Sequence, residues 1–84
     1  MAHIEIYTSK VCPYCDRAKA LLKAKKASYQ EYDISQNPVW AQESQTRSGR
    51  RTVPQIFVDG VSIGGCDDLY ALESMGKLDE LLQL

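Results

Sequence analysis

The sequence has 84 residues, a net charge of −1 and an apolar content of 44%. A chain of this length suits a small hydrophobic core, so we expect one domain over residues 1–84. The near-zero net charge excludes the broad basic surface of a nucleic-acid-binding domain, and no apolar run approaches the ~20 residues of a membrane span.

Cysteine usage and the first residues point to a reducing compartment. The start of the sequence lacks the basic segment and apolar run of a secretory signal. Three cysteines would leave one thiol unpaired in a secreted domain held by disulfides. We therefore expect a cytoplasmic protein, in which a cysteine pair is usually catalytic or metal-bound.

The first half of the chain alternates strands and helices. Alternating apolar residues predict a short strand over 4–7. A helix follows over roughly 13–26, because Pro13 suits its first position and apolar residues then recur at helical spacing. A second strand is predicted over 29–34, and a second helix over 38–48, between an Asn-Pro start and a glycine end.

The second half predicts a hairpin and two helices. A strand over 55–58 and a return strand over 61–63 are separated by Asp-Gly, a strong hairpin signal. Asp67 is predicted to cap the next helix, and a last short helix carries the leucines of 78–82. The order is βαβαββα with a helical tail. We therefore expect an α/β fold, with a mixed four-stranded sheet and helices on both faces.

A Cys-Pro-Tyr-Cys segment stands where the first helix begins. With proline as the first helical residue, Cys12 is at the N-cap, where free backbone N–H groups and the helix dipole favour a thiolate. Lys10 adds positive charge, so this thiol should act as a nucleophile at neutral pH. Cys15 shares the apolar face of the helix with Tyr14 and lies close enough to attack a disulfide formed at Cys12.

Three kinds of site use such a cysteine pair: a thiol–disulfide exchange site, a structural disulfide and a zinc site. Together with Cys66 and His3, the pair would complete a Cys₃His zinc set. A zinc knuckle, however, places its pair on a turn, whereas here a proline and a regular helix follow the first cysteine. The pattern favours exchange chemistry, and we expect no metal site.

Two later segments are candidates for the same site. Pro54 either simply begins the strand at 55–58, or forms a cis bond that turns the backbone of Val53 outward to pair with an extended peptide. The segment from Gly64 to Asp67 joins a strand to a helix start, which could hold a carboxylate and, through Asp67, an ammonium group. Taken alone, this second segment indicates only a loop-to-helix junction.

Three motifs therefore occur in order on this pattern of elements: Cys12-Pro13-Tyr14-Cys15, Thr52-Val53-Pro54 and Gly64-Gly65-Cys66-Asp67. Together they resemble the dithiol glutaredoxins, in particular the short bacterial kind, over essentially the whole chain. The resemblance implies a thioredoxin-like fold and a glutathione-dependent thiol–disulfide oxidoreductase. It also implies glutathione as a cosubstrate, no tightly bound cofactor, and glutathionylated or disulfide-containing proteins as substrates.

The resemblance further implies roles for individual residues. Cys12 would be the nucleophile and Cys15 the resolving thiol. The backbone of Val53 would pair with the cysteinyl part of glutathione. The implied glutathione-binding residues are Lys10, Tyr14, Thr52, Val53, Pro54, Gly65, Cys66 and Asp67.

The two ends of glutathione would lie at different residues. The resemblance implies that Cys66 and Asp67 hold the γ-glutamyl end. The glycine carboxylate needs a cation, for which Lys10 is the best candidate and Arg47 and Arg51 are weaker ones. Cys66 is either a neutral lining residue or a thiol that becomes oxidised or glutathionylated; we favour the lining role, because free cysteine often behaves as a small apolar residue.

Departures from related motifs narrow the function. Monothiol glutaredoxins that carry iron–sulfur clusters typically have Cys-Gly-Phe-Ser, so the Pro13-Tyr14 pair disfavours stable cluster binding. Thioredoxins typically have Trp-Cys-Gly-Pro-Cys, from which Val11 and the same pair depart. A thioredoxin-like reductase fed by a flavoenzyme and a metal or cluster module remain as rivals. We expect a monomer.

Overall fold

A computed structural model describes all 84 residues. The strands form one mixed sheet in the order β2-β1-β3-β4, in which β1 and β2 are parallel and the other neighbours antiparallel. This confirms the predicted four-stranded sheet. No helix is both long and apolar enough to cross a membrane. The elements are β1 (Ile4–Thr8), α1 (Pro13–Ala24), β2 (Gln30–Asp33), α2 (Pro38–Ser48), β3 (Gln55–Val58), β4 (Val61–Gly64), α3 (Cys66–Ser74) and α4 (Leu78–Leu82).

The two faces of the sheet are covered by different helices, as predicted. Alternate side chains of β1 and β3 pack with α1, α3 and α4 in the main core, where burying each large aliphatic side chain contributes about 1.5–3 kcal/mol. The intervening side chains, including Tyr7 and Phe57, face Arg47 of α2. The main core includes Ile4, Ile6, Ala18, Leu22, Ile56, Val58, Leu69, Leu78 and Leu82.

Two elements, α1 and β2, are shorter than predicted. The helix α1 ends at Ala24 rather than near residue 26, because Lys26 has a left-handed backbone with φ 57°. Strand β2 covers 30–33 rather than 29–34. The N–H of Ile34 still donates to the Thr8 carbonyl at 2.8 Å, so the parallel pairing fades gradually at this end.

The start of α3 differs from the prediction. The helix begins at Cys66 with Gly65 as its N-cap, so the expected cap by Asp67 is wrong. Asp68 instead accepts a hydrogen bond from the Gly65 N–H through Oδ2 at 2.9 Å. A carboxylate at the third helical position reaches back to the N-cap in this way, as in one half of a capping box. Asp67 is left exposed in the first turn.

Candidate active site

The two cysteines of the Cys-Pro-Tyr-Cys motif lie where α1 begins. Cys12 is the N-cap residue, and its Sγ accepts a hydrogen bond from the Cys15 N–H at 3.2 Å. The two residues form a disulfide, with their Cα atoms 5.1 Å apart. This confirms the predicted N-cap position, in which the first sulfur faces the free N–H groups of the helix.

The two sulfur atoms differ in access. Cys12 is partly exposed, whereas Cys15 is completely buried. Tyr14 was expected on the buried face with Cys15 but is 56% exposed, because consecutive helical residues point about 100° apart. Arg17 lies over its ring, 5.9 Å from the centroid. A substrate disulfide can therefore approach Cys12 but not Cys15.

The Val53–Pro54 segment faces the reactive sulfur. Its peptide bond is cis, which confirms one of the two alternatives for this proline. Val53 lies outside the strands and takes part in no backbone hydrogen bond, and its carbonyl oxygen is 4.0 Å from Cys12 Sγ. The free N–H and C=O of Val53 can therefore pair with an extended peptide bound beside Cys12.

A groove of about 270 Å³ lies between the start of α1, the Val53–Pro54 segment and the start of α3. All the predicted binding residues except Lys10 line this active-site groove. Two further lining residues, Arg50 and Asp68, belong to none of the three sequence motifs that predict the site. The complete lining is Tyr14, Arg50, Thr52, Val53, Pro54, Gly65, Cys66, Asp67 and Asp68.

Two glycines bring the walls of the groove together. Gly64 has a left-handed φ of 104°, and a Cβ there would collide with the Asp68 carboxylate. At Gly65 a Cβ would lie 3.2 Å from the Pro54 carbonyl oxygen. The pair therefore permits close packing of the β4–α3 junction against the Val53–Pro54 segment.

None of the three basic residues predicted to face the glycine carboxylate, Lys10, Arg47 and Arg51, lines the groove. Lys10 and Arg51 are exposed and outside the groove lining, so their proposed contacts stay predictions. Arg47 is not available for a ligand, because its Nη2 donates to Glu5 at 2.9 Å on the opposite face of the sheet. Arg50 is the one basic residue in the lining. Three arginines close together in the sequence carry no signal that distinguishes the one facing the groove.

Cys66 lies in the groove wall and is only 4% exposed. Burial raises the pKa of its thiol, and Arg17 offsets this only in part. A raised thiol pKa leaves less of the reactive thiolate at neutral pH. These observations favour a lining role over a redox role for Cys66.

A larger groove, of about 570 Å³, lies between the β3–β4 hairpin and α4. Val61 and Leu81 are among its lining residues, and it contains no cysteine, serine or histidine. Because this larger groove contains no cysteine, it is not the site of thiol–disulfide exchange.

The geometry argues against the zinc alternative. No three His, Cys, Asp or Glu side chains come together as a metal site requires. His3 precedes β1, whereas the cysteine pair follows the other end of this strand. The Nε2 atom of His3 lies 3.9 Å from Glu5 Oε1 and not beside a cysteine sulfur.

Sequence comparisons identify relatives along the whole chain. A family model described as Glutaredoxin matches residues 4–63. The chain is 59% identical over 83 residues to glutaredoxin 3 of Escherichia coli K12, covering 99% of this chain and 100% of that protein. It is 48% identical over 82 residues to a glutaredoxin of Pseudomonas aeruginosa, covering 98% of each.

Solved structures have the same fold. A crystal structure of a buckwheat glutaredoxin–glutathione complex matches with a TM-score of 0.90 at 30% identity, covering 98% of this chain and 77% of that one. A solution structure of glutaredoxin from Brucella melitensis matches with a TM-score of 0.85 at 58% identity, covering 98% and 89%. The expected fold is therefore confirmed.

Proposed function

This chain belongs to the glutaredoxin family, and we propose that it reduces protein–glutathione mixed disulfides and protein disulfides with glutathione as its cosubstrate. Membership of the family makes it a thiol–disulfide oxidoreductase with a redox-active cysteine pair. The observation that carries the proposal is the unequal access of the two sulfur atoms: Cys12 is partly exposed at a helix N-cap, and Cys15 is buried behind it.

In the proposed first step, the Cys12 thiolate attacks the glutathione sulfur of a protein–glutathione mixed disulfide. The S–S bond of the substrate breaks, the protein leaves as a thiolate, and a Cys12–glutathione disulfide forms. The N–H of Cys15, which donates to Cys12 Sγ at 3.2 Å, and the other free N–H groups of the first turn support the attacking thiolate.

Two routes resolve this intermediate. A second glutathione thiolate attacks the glutathione sulfur, which releases glutathione disulfide and restores the Cys12 thiolate. Alternatively, the Cys15 thiolate attacks Cys12 Sγ and expels the glutathione thiolate, leaving the Cys12–Cys15 disulfide. To reduce a protein disulfide, the Cys12 thiolate attacks one of its sulfur atoms, which frees one protein thiolate and forms a Cys12–protein disulfide. The Cys15 thiolate then attacks Cys12 Sγ and frees the second protein thiolate, and two glutathione molecules reduce the resulting Cys12–Cys15 disulfide, with release of glutathione disulfide.

The active-site groove would bind the glutathione part of the substrate. In our proposal, the free backbone groups of Val53 pair with its cysteinyl residue, and Thr52 and Tyr14 border it. Asp67, exposed at the start of α3 and in no ion pair, would receive the ammonium group of the γ-glutamyl end. Lys10 remains the proposed partner of the glycine carboxylate.

We also propose that the protein works as a monomer in the cytoplasm, where glutathione keeps thiols reduced. Its substrates would be glutathionylated or disulfide-containing proteins. Light scattering of the reduced protein tests the monomer, because a dimer would double the measured mass.

The direct test is turnover of a glutathione mixed disulfide, coupled to NADPH oxidation through glutathione and glutathione reductase. We expect activity in the wild type and in Cys15→Ser, and none in Cys12→Ser. Reduction of a protein disulfide should be lost in both variants, because it needs both thiols. Cys66→Ser controls for the removal of a thiol and should retain most of the activity. Full activity in Cys12→Ser would contradict the assignment of the nucleophile.

The rival functions have different signatures. A thioredoxin-like enzyme would accept electrons from a flavoenzyme reductase and NADPH without glutathione. A cluster module would show visible absorbance and bound iron after purification. Inactivity of the folded, fully reduced wild type in the glutathione assay would remove the proposed function.

A further inference from the structure

Gln55 is a completely buried polar residue next to the segment that faces Cys12. It is the first residue of β3, and it pairs with Tyr7 across the sheet. Its amide nitrogen Nε2 donates to the carbonyl oxygen of Thr52 at 3.0 Å and to the Thr52 hydroxyl at 3.2 Å. Gln55 therefore connects a strand of the sheet to a residue that lines the active-site groove.

The backbone before Pro54 has few other contacts that hold its shape. Neither Thr52 nor Val53 takes part in a hydrogen bond between backbone groups. The amide of Gln55 makes the only side-chain hydrogen bonds to Thr52. A loop segment without backbone hydrogen bonds opens easily unless other contacts hold it. The Gln55 amide is thus the group that fixes the chain immediately before Val53.

The amide oxygen of Gln55 shows that this connection has a cost. The Thr52 carbonyl can only accept a hydrogen bond, so the amide nitrogen and not the amide oxygen must face it. The oxygen Oε1 is then buried without a hydrogen-bond partner, which is unfavourable. Methionine, an apolar side chain of similar size, would avoid this cost but could not donate to Thr52. The amide therefore contributes its donor at the expense of a buried, unpaired acceptor.

We propose that Gln55 is a positioning residue for the exchange reaction: it holds Thr52 so that the free N–H and C=O of Val53 face the backbone of the thiol substrate. This inference rests on the proposed function. A loop that is ordered before binding loses less conformational entropy when the substrate pairs with it. Gln55 would therefore strengthen substrate binding without touching the substrate or the reacting sulfur atoms.

The test compares Gln55→Met with its parent, both in a reduced Cys15→Ser background, in single turnover with enzyme in excess. One substrate is a peptide–glutathione mixed disulfide, and the other is the disulfide of mercaptoethanol, which has no amide group to pair with Val53. For the glutathione substrate, we expect the enzyme concentration at half-maximal rate to rise about tenfold, the loss of roughly one hydrogen bond, and the maximal rate constant to stay within about twofold. The rate constant for the small disulfide should also stay within about twofold, because attack by Cys12 on it needs no contact with Val53.

A matched variant separates positioning from a general loss of stability. Arg47→Met disturbs contacts with Glu5 and Phe57 but none with Thr52, so it should change the kinetics of neither substrate. Equal losses on both substrates in Gln55→Met would mean that Gln55 supports the whole site, and unchanged kinetics would mean that Thr52 needs no such contact; either result overturns the inference. If the parent reacts no better with the glutathione substrate than with the small disulfide, the proposed use of glutathione fails, and the role of Gln55 with it.

A measurement on the reduced wild type does not depend on whether Gln55→Met folds. NMR relaxation should give the Val53 N–H an order parameter close to those of β3, about 0.85, because Gln55 holds the preceding residue. A value below about 0.6 would show that the segment is mobile in spite of Gln55 and would overturn the inference.

Discussion

Arg47 and Arg50 are close in the sequence but differ in how many hydrogen bonds their side chains make. The guanidinium of Arg47 donates to both carboxylate oxygens of Glu5, at 2.9 and 3.2 Å, and to the Tyr7 hydroxyl at 2.8 Å. That of Arg50 makes a single bond, to Asp68. The side chain of Arg47 is 27% exposed and that of Arg50 is 55% exposed. The same residue type thus closes a network in one region and lines an open groove in the other.

The contrast shows how partners decide the role of a charged side chain. Around Arg47 the groups satisfy one another: the Tyr7 hydroxyl also bonds Glu43, and its ring stacks on Tyr32 with centroids 5.0 Å apart. Removing one member of such a cluster leaves a shielded group without a partner, which is costly. In the active-site groove, by contrast, backbone groups of Val53 and donors of Arg50 are unused. Substitutions in the first region should therefore change stability, and those in the second should change kinetics.

The largest effect is expected on the free energy of unfolding, when each of the two arginines is replaced by methionine in a separate variant. Arg47→Met leaves the Glu5 carboxylate, 13% exposed, without its cation, and should lower the free energy of unfolding by about 2–3 kcal/mol. Arg50→Met breaks an exposed pair and should cost less than about 1 kcal/mol. Urea unfolding measures both. Equal losses in the two variants would contradict the division into two regions.

Acid should reduce the effect of Arg47→Met. The hydrogen bond from Arg47 holds the pKa of Glu5 below its ordinary value of 4.5, with burial opposing it. A lowered folded-state pKa contributes stability above pH 4.5, which is lost as the pH falls through the lower folded value. The stability gap between wild type and Arg47→Met should therefore narrow below about pH 4.5. A gap independent of pH would mean that the charge of Glu5 contributes nothing.

Alkaline titration examines the same network from the side of Tyr7. Burial, and next the hydrogen bond to Glu43, raise the pKa of Tyr7 from 10.0 to about 12. Its contribution to stability is therefore complete below pH 10 and should be lost as the pH rises from about 10 to 12. In the phenolate absorbance of the folded protein, Tyr7→Phe should remove one of the late-titrating groups. An unchanged late transition would show that Tyr7 is not shielded.

The last prediction concerns Cys66, the thiol in the groove wall, for which we expect the smallest effect on activity. Burial raises the pKa of this thiol, so Cys66 should be alkylated by iodoacetamide far more slowly than Cys12 in the fully reduced protein at neutral pH. Peptide mass spectrometry after timed quenching measures both rates, and unfolding in urea should abolish the difference. Comparable rates in the folded protein would favour a redox role for Cys66.

The element order could be predicted from the sequence, because each helix and strand begins and ends at signals that lie within a few residues of one another. The Asn-Pro start and glycine end of α2 and the Asp-Gly hairpin each depend on backbone chemistry within a few residues. The predictions failed where a neighbour in the sequence competes for the same role. Asp67 and Asp68 are equivalent in local pattern, but only the second reaches the Gly65 N–H.

In the active site, too, some features follow from local sequence and others depend on tertiary contacts. Local chemistry was sufficient to assign the N-cap position of Cys12, because a proline at the first helical position specifies where the helix begins. The link between the three separate motifs came from their resemblance to one family and not from local chemistry. Which arginine faces the groove depends on how α2 and the loop after it pack on the sheet. Arg47 is directed to Glu5 and Arg50 to Asp68 by contacts between residues far apart in the sequence, so only the tertiary structure could distinguish them.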